Sequence, residues 1–257
     1  MQKKKSGLVQ SIQRAGAILR CFSEAEPEQS VTELSRRLKL HKSTISRILS
    51  TLQAEGFVNQ HPETGKYRLG VGLVSLAGVA LGGLDVRGVA QPHLNRLVEI
   101  SEETVNVTVL DGSECVNIER VASPKPVRYV GWIGRRIPLH CTASGKVLLA
   151  CLAKAERQSL LPSPLKKYTP QTITNIQDLE TSLAQVCEQG FAIVQEEFEE
   201  GFSDIAAPVF NHAREIVGAI AISGPTFRLG NGRIESFITP LLETADKVSA
   251  DLGYKKR

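Results

Sequence analysis

The sequence predicts an α+β protein in successive parts: an N-terminal winged helix-turn-helix, a linker helix, and a C-terminal sensor-like domain of hairpins and helices. Three observations carry this. A capped pair of short amphipathic helices with a tight turn lies at residues 30–52. Residues 1–75 hold twelve Lys/Arg and six Asp/Glu, a net of +6, whereas the whole chain is +4, so the remainder is about −2. Beyond residue 104, alternating strand patterns return on one another between helical segments. The expected parts are residues 1–70 for the DNA-binding head, 71–84 for the linker helix and 85–257 for the sensor domain.

Residues 10–23 read as a first helix with Ile12, Ala15, Ile18, Leu19 and Phe22 facing inward. Ser30 and Glu33 fit a capping box that starts the next helix, with Leu34 and Leu38 as its apolar stripe. Lys39-Leu40-His41 leaves room only for a turn. The second helix carries Ile45, Ile48, Leu49 and Leu52 at helical spacing. At about 100° per residue, Ser43, Arg47 and Ser50 fall on its other side, flanked by Lys42, Thr44 and Ser46. Such a small, hydroxyl-rich and basic face can enter a major groove, with Arg reading guanine and hydroxyls holding phosphate or thymine edges. Two short helices and a turn also occur in many unrelated folds. The charge and the next segment favour DNA. Residues 57–61, a turn at 62–65 and residues 66–69 read as a β-hairpin, with Gly65 where a short loop needs positive φ. Lys66 and Arg68 then sit on a wing.

Residues 70–83 are apolar with many small side chains. This helix either packs within the chain or pairs two subunits; the second reading is favoured, because palindromic operators require protein dimers. Residues 85–102 continue as an amphipathic helix with Val89, Leu94, Leu97 and Ile100 inward. Residues 104–110 alternate as a strand, Asp111-Gly112 turns, and 115–121 return. Further strands are expected at 127–133, 191–196, 205–210 and 216–223, and helices at 144–152, 155–161, 176–189 and 233–252. This order does not suit a doubly wound nucleotide fold.

Composition excludes several classes. No 18-residue apolar run exists, and the basic start Met1-Gln2-Lys3-Lys4-Lys5 lacks a following apolar segment, so neither a membrane span nor a secretory signal is expected. That start reads as a loose arm, solvated or touching DNA. The five cysteines (21, 115, 141, 151, 187) and five histidines (41, 61, 93, 140, 212) are scattered. No disulfide framework, metal site or cofactor is expected, and a cytoplasmic location fits. His140-Cys141 beside Ser144-Gly145-Lys146 invites a Cys/His-dependent enzyme reading. No orienting carboxylate is identifiable, however, and His140 stands where a phosphate loop needs glycine.

Several segments together resemble the IclR family of bacterial transcriptional regulators. They are Ser11-Ile12-Gln13-Arg14-Ala15, Leu40-His41-Lys42-Ser43-Thr44-Ile45-Ser46-Arg47-Ile48-Leu49 and Gly65-Lys66-Tyr67-Arg68-Leu69-Gly70. The later ones are Gly134-Arg135-Arg136-Ile137-Pro138-Leu139-His140, Ser144-Gly145-Lys146, Tyr168-Thr169-Pro170, Thr172-Ile173-Thr174 and Ile222-Ser223-Gly224-Pro225. The resemblance spans nearly the whole chain. It implies a GAF-like effector-binding domain, dimers often assembled as tetramers, a palindromic double-stranded DNA operator and a small organic-acid effector. A repressor of a catabolic operon is favoured over an activator of an aromatic- or organic-acid pathway.

By resemblance, the effector lies between the sheet and the helix beginning near Ser144. Unpaired amides at a helix start favour a carboxylate, here Ala143 and Ser144. The polar side would come from residues 195–204, with Phe202 and Asp204, and from Ser223. The chain departs from the family's better-known pockets. Val194 stands where some relatives carry an acid, Gly201-Phe202-Ser203-Asp204 where many carry Arg-Cys, and Ala221 where a relative has Ser. Asp204 either lines the pocket, where it suits a hydroxylated ligand such as a sugar acid, or points outward. Trp132 either lines the pocket or caps the core.

Overall fold

The computed structural model describes residues 8–255 except Glu24, Gly83, Leu84 and Asn231. The basic arm at residues 1–5 lies outside the described residues. The chain divides into two compact units, Met1–Gly83 and Leu84–Arg257.

The first unit opens with α1 (Gln10–Leu19), α2 (Val31–Leu38) and α3 (Lys42–Ala54). Ser30 caps α2 as expected: its Oγ accepts the Glu33 amide at 3.2 Å, and its own amide donates to Glu33 Oε2 at 2.6 Å. Those bonds, the Ser30 amide first, hold the Glu33 carboxyl below its ordinary pKa. Lys39 closes α2 with φ 54°, and Ser35 Oγ donates to the Leu40 carbonyl at 2.6 Å, which fixes the turn. Ile18, Leu34, Ile45, Leu49, Val58 and Tyr67 form the sealed core. Ile12 does not join it; 70% exposed, it lines an open groove, because it lies at the edge of the arc that Ile18 and Phe22 bury.

The wing is the antiparallel pair β1 (Val58–Gln60) and β2 (Tyr67–Leu69). Its loop turns at Gly65, whose φ of +65° strains any other L-residue. The unit ends in α4 (Gly72–Gly82); Val71, just before it, and Val74, Leu76 and Val79 along it stand exposed.

The second unit begins with α5 (Asp85–Ser101). Its buried stripe is Val86, Ala90, Leu94, Leu97 and Val98; Ile100, expected inward, lies off that stripe and is 48% exposed. A six-stranded antiparallel sheet follows in the order β5-β4-β3-β8-β7-β6. Its strands are β3 (Thr104–Asp111), β4 (Glu114–Val121), β5 (Arg136–Pro138), β6 (Ala192–Gln195), β7 (Phe202–Phe210) and β8 (Ile216–Pro225). Helices α5 and α10 (Ile238–Asp251) cover one face. Helix α6 (Ala143–Ala150) covers the other, backed by α8 (Ile176–Gln189). Two short helices, α7 (Lys154–Leu160) and α9 (Thr226–Leu229), complete the unit.

The strand expected at residues 127–133 does not form. Pro124 and Pro126 interrupt the approach to it, and Val127, Val130 and Ile133 face outward. The edge of β4 pairs instead with Arg136–Pro138, through Cys115 opposite Ile137. Among the described residues, no helix is long and apolar enough to cross a membrane.

Candidate DNA-reading face and effector pocket

On α3, burial of Ile45, Leu49 and Leu52 turns the opposite face outward. Lys42, Ser43, Ser46, Arg47 and Ser50 are exposed there, and Thr44 is half-buried. Ser50 Oγ donates to the Ser46 carbonyl at 3.0 Å, which leaves its lone pairs outward. Beside this face runs an open groove lined by Ser11 and Arg14 of α1 together with Thr44, Arg47 and Ser50 of α3. Arg14 was not among the residues expected from sequence. Its signal was its place on the first helix, read there only for the apolar stripe. On the wing, Arg68 is exposed, and Lys66 is half-buried within 3.8 Å of Glu33.

The second unit holds a small cavity of about 30 Å³ between the sheet and the start of α6. The register assembles its polar wall. Asp204 on β7 sits directly opposite Ser223 on β8, and Asn106 on β3 opposite Ala221. Thr108 Oγ1 donates to Asn117 Oδ1 at 2.9 Å, whereas Asn106 Oδ1 is buried without a hydrogen-bond partner. Ser144, Phe198, Glu199 and Phe202 close the space. The small side chains Ala206, Ala219 and Ala221 let α6 lie close to the sheet.

The start of α6 is tightly built. Thr142 Oγ1 accepts the Gly145 amide at 3.2 Å and donates to the Pro138 carbonyl at 2.7 Å. A Cβ on Gly145 would lie 2.2 Å from the Leu139 carbonyl oxygen, so only glycine fits. The Ala143 amide donates to Asp204 Oδ2 at 2.9 Å. The protein's own carboxylate therefore takes the first donor that sequence reasoning offered to a ligand, and Ala143 is not itself a wall of the cavity. Although Asp204 keeps some surface toward the cavity, protein encloses it. Burial raises its carboxyl to about pKa 7 against the lowering effects of the Ala143 amide and Lys146.

Trp132 does not line the cavity; it is half-buried, with Arg135 lying over its ring at 5.1 Å. Sequence reasoning missed Asn106, Thr108 and Asn117. The signal was the polar alternation Thr104, Asn106, Thr108 within a strand otherwise of valine, which reads equally well as a solvent face. Behind the cavity, Lys146 Nζ lies 2.5 Å from Glu197 Oε1 in a buried ion pair. His140 is buried with Nε2 2.9 Å from the Lys166 carbonyl oxygen, and burial lowers its pKa. Burial drives the Cys141 thiol far above its ordinary range, which disfavours the thiolate a nucleophile requires.

An exposed basic helix-turn-helix, on one chain with a domain that holds a partly open cavity with a polar wall, defines a DNA-binding regulator that senses a small molecule. The chain belongs to the IclR family of bacterial transcriptional regulators. Residues 11–62 match the IclR helix-turn-helix domain, and residues 78–250 match the family described as bacterial transcriptional regulator IclR C-terminal. The chain is 38% identical over 248 residues to the HTH-type transcriptional regulator XynR of Escherichia coli strain K12, covering 96% of this chain and 98% of that one. It is 35% identical over 247 residues to the HTH-type transcriptional repressor AllR of the same strain, covering 96% and 91%. Among solved structures, it is similar to an IclR homologue from Microbacterium hydrocarbonoxydans complexed with 4-hydroxybenzoate. There the TM-score is 0.80 and the identity 26%, over 94% of this chain and 98% of that one.

Proposed function

We propose that this regulator represses a catabolic operon by binding a palindromic operator as a dimer or tetramer, and that a hydroxylated organic acid in the C-terminal cavity releases it. A sugar acid is one ligand of that class. The observation that carries the reading is Asp204, opposite Ser223 and bonded to the start of α6, on the polar wall of the cavity. A protonated or hydrogen-bonding carboxyl beside a serine hydroxyl suits ligand hydroxyls better than a bare keto acid. Arg47, with Lys42, Ser43, Thr44, Ser46 and Ser50, reads bases and phosphates. Lys66 and Arg68 hold phosphate from the wing, and Arg14 adds a cation beside α3. The repressor AllR supports the sign of regulation, and the 4-hydroxybenzoate complex supports a hydroxylated acid as effector. The exposed apolar face of α4 supports self-association.

The test is a gel shift on DNA from upstream of the chain's own gene, titrated with salt and with D-gluconate, D-xylonate and 4-hydroxybenzoate. A specific complex that weakens steeply with salt and is released by one acid is expected. Absence of a sequence-specific complex overturns the DNA assignment. A complex indifferent to every acid overturns the effector class.

A further inference from the structure

A cation strengthens the hold on an acid effector, and among the described residues that line the cavity none is Lys or Arg. The walls instead carry two acids, Asp204 and Glu199. The amide of Ala143, the first donor of α6, is already given to Asp204. At the α6 end Ser144 remains, but the Asp204 carboxyl already occupies the first amide and stands beside any second acid there. A cation does stand at the other end. Arg135 donates through Nη1 to Tyr129 Oη at 3.0 Å and to the Val130 carbonyl at 3.1 Å, and through Nη2 to Glu199 Oε1. Its guanidinium lies over the rings of Tyr129, Trp132 and Phe198 at 5.1–5.6 Å. Tyr129, Phe198 and Glu199 are themselves walls of the cavity.

The two members of this ion pair are unequally held. The Arg135 side chain is 13% exposed and fixed by two further hydrogen bonds and three rings, whereas the Glu199 side chain is 36% exposed. Glu199 sits on the loop between β6 and β7. That loop is anchored elsewhere: Thr172 Oγ1 donates to the Glu197 carbonyl at 2.6 Å, and Glu197 pairs with Lys146. The Glu199 carboxylate, the more exposed of the two, has the easier route to solvent. Because Glu199 is a wall of the cavity, moving its carboxylate away adds space there.

We propose that Arg135 is the receptor for the effector's carboxylate and that Glu199 is its internal placeholder, displaced when an acid binds. The exchange swaps one carboxylate for another on a guanidinium shielded from water, where such charge-assisted bonds are strong. It orients the ligand with its carboxylate at Arg135 and its hydroxyl at Asp204 and Ser223. The assignment rests on the effector reading above and deepens it.

Calorimetric titration of the full-length protein tests it, with D-gluconate and 4-hydroxybenzoate as acids and D-sorbitol and 4-hydroxybenzamide as their uncharged counterparts. Arg135→Gln should weaken whichever acid binds by about tenfold or more. Glu199→Gln removes the competitor without removing packing volume, and should tighten the same acid several-fold. Neither change should alter binding of the uncharged counterpart in that sense. An acid bound by Arg135→Gln as tightly as by the wild type overturns the carboxylate site while leaving the effector reading standing. So does an acid that binds Glu199→Gln no more tightly than the wild type, a result that also guards against a misfolded Arg135→Gln. Wild-type protein that binds neither acid overturns both.

Discussion

Asp204 does two opposed things at once. Its Oδ2 caps the Ala143 amide at 2.9 Å, and its enclosure raises the carboxyl to about pKa 7. An unfolded Asp ionises near pH 4, so between there and about pH 7 the folded state holds a proton that the unfolded state has lost. Stability from this group therefore falls as pH rises through that window and is level above it. Each pH unit so spanned is worth about 1.4 kcal/mol, so the penalty at pH 8 is on the order of a few kcal/mol. Asp204→Asn keeps an oxygen for the Ala143 amide and removes the charge. It should raise the urea midpoint of the effector domain at pH 8, leave it nearly unchanged at pH 4, and flatten the slope between. Unchanged pH dependence in the variant would place the titration elsewhere. Sequence could name Asp204 but not aim it, because one residue of register would have turned it to the other face. The register Asp204 opposite Ser223 and Val194 decides the matter, and it is set by the pairing of β7 with both β6 and β8. Trp132 escaped for a similar reason: it lies in an irregular segment, where periodicity says nothing about direction.

At the scale of single elements, signals local to the chain were the legible ones. The capping box, the tight turn at Lys39-Leu40-His41 and the Gly65 turn each act over three or four residues, and they place α2, α3 and the wing within a residue or two. The short β5 at Arg136–Pro138 was not legible, since its three residues are a strand only because β4 offers an edge. Arg47→Ala removes an exposed cation from α3 and should lose about 1–3 kcal/mol of operator discrimination at fixed salt, with folding unchanged. Arg68→Ala on the wing should weaken all sequences alike and make the salt slope shallower by about one. A loss at a single base pair would show that Arg68 reads bases instead. For α6, the close approach at Leu139 is the weak point. Gly145→Ala should destabilise the effector domain by about 1–3 kcal/mol or more, since the Cβ meets backbone that cannot swing aside. It should weaken acid binding along with it, measured by denaturation and by calorimetry on the same preparation.

For the molecule as a whole, the proposed reading of a palindrome requires that two reading heads be held at a spacing that matches two half-sites. The chain supplies one head, and the exposed line of Val71, just before α4, with Val74, Leu76 and Val79 on it is apolar surface that a lone subunit leaves in water. In the proposed dimer, burying it against a second copy would link the heads, and the second half-site would then be bound at the high effective concentration that linkage confers. Val74→Glu with Val79→Glu places four charges in such a pairing without touching α3, the wing or the cavity. The doubly substituted protein should sediment as a smaller species than the wild type at micromolar concentration. Its affinity for a palindromic operator should fall by roughly a hundredfold, toward that for an isolated half-site. Calorimetry should still report acid binding in the effector domain, because the cavity lies wholly within the second unit. If the substituted protein keeps both its sedimentation and its palindrome affinity, α4 is not the linking surface. If it loses assembly yet still binds the palindrome tightly, the heads do not act as a linked pair.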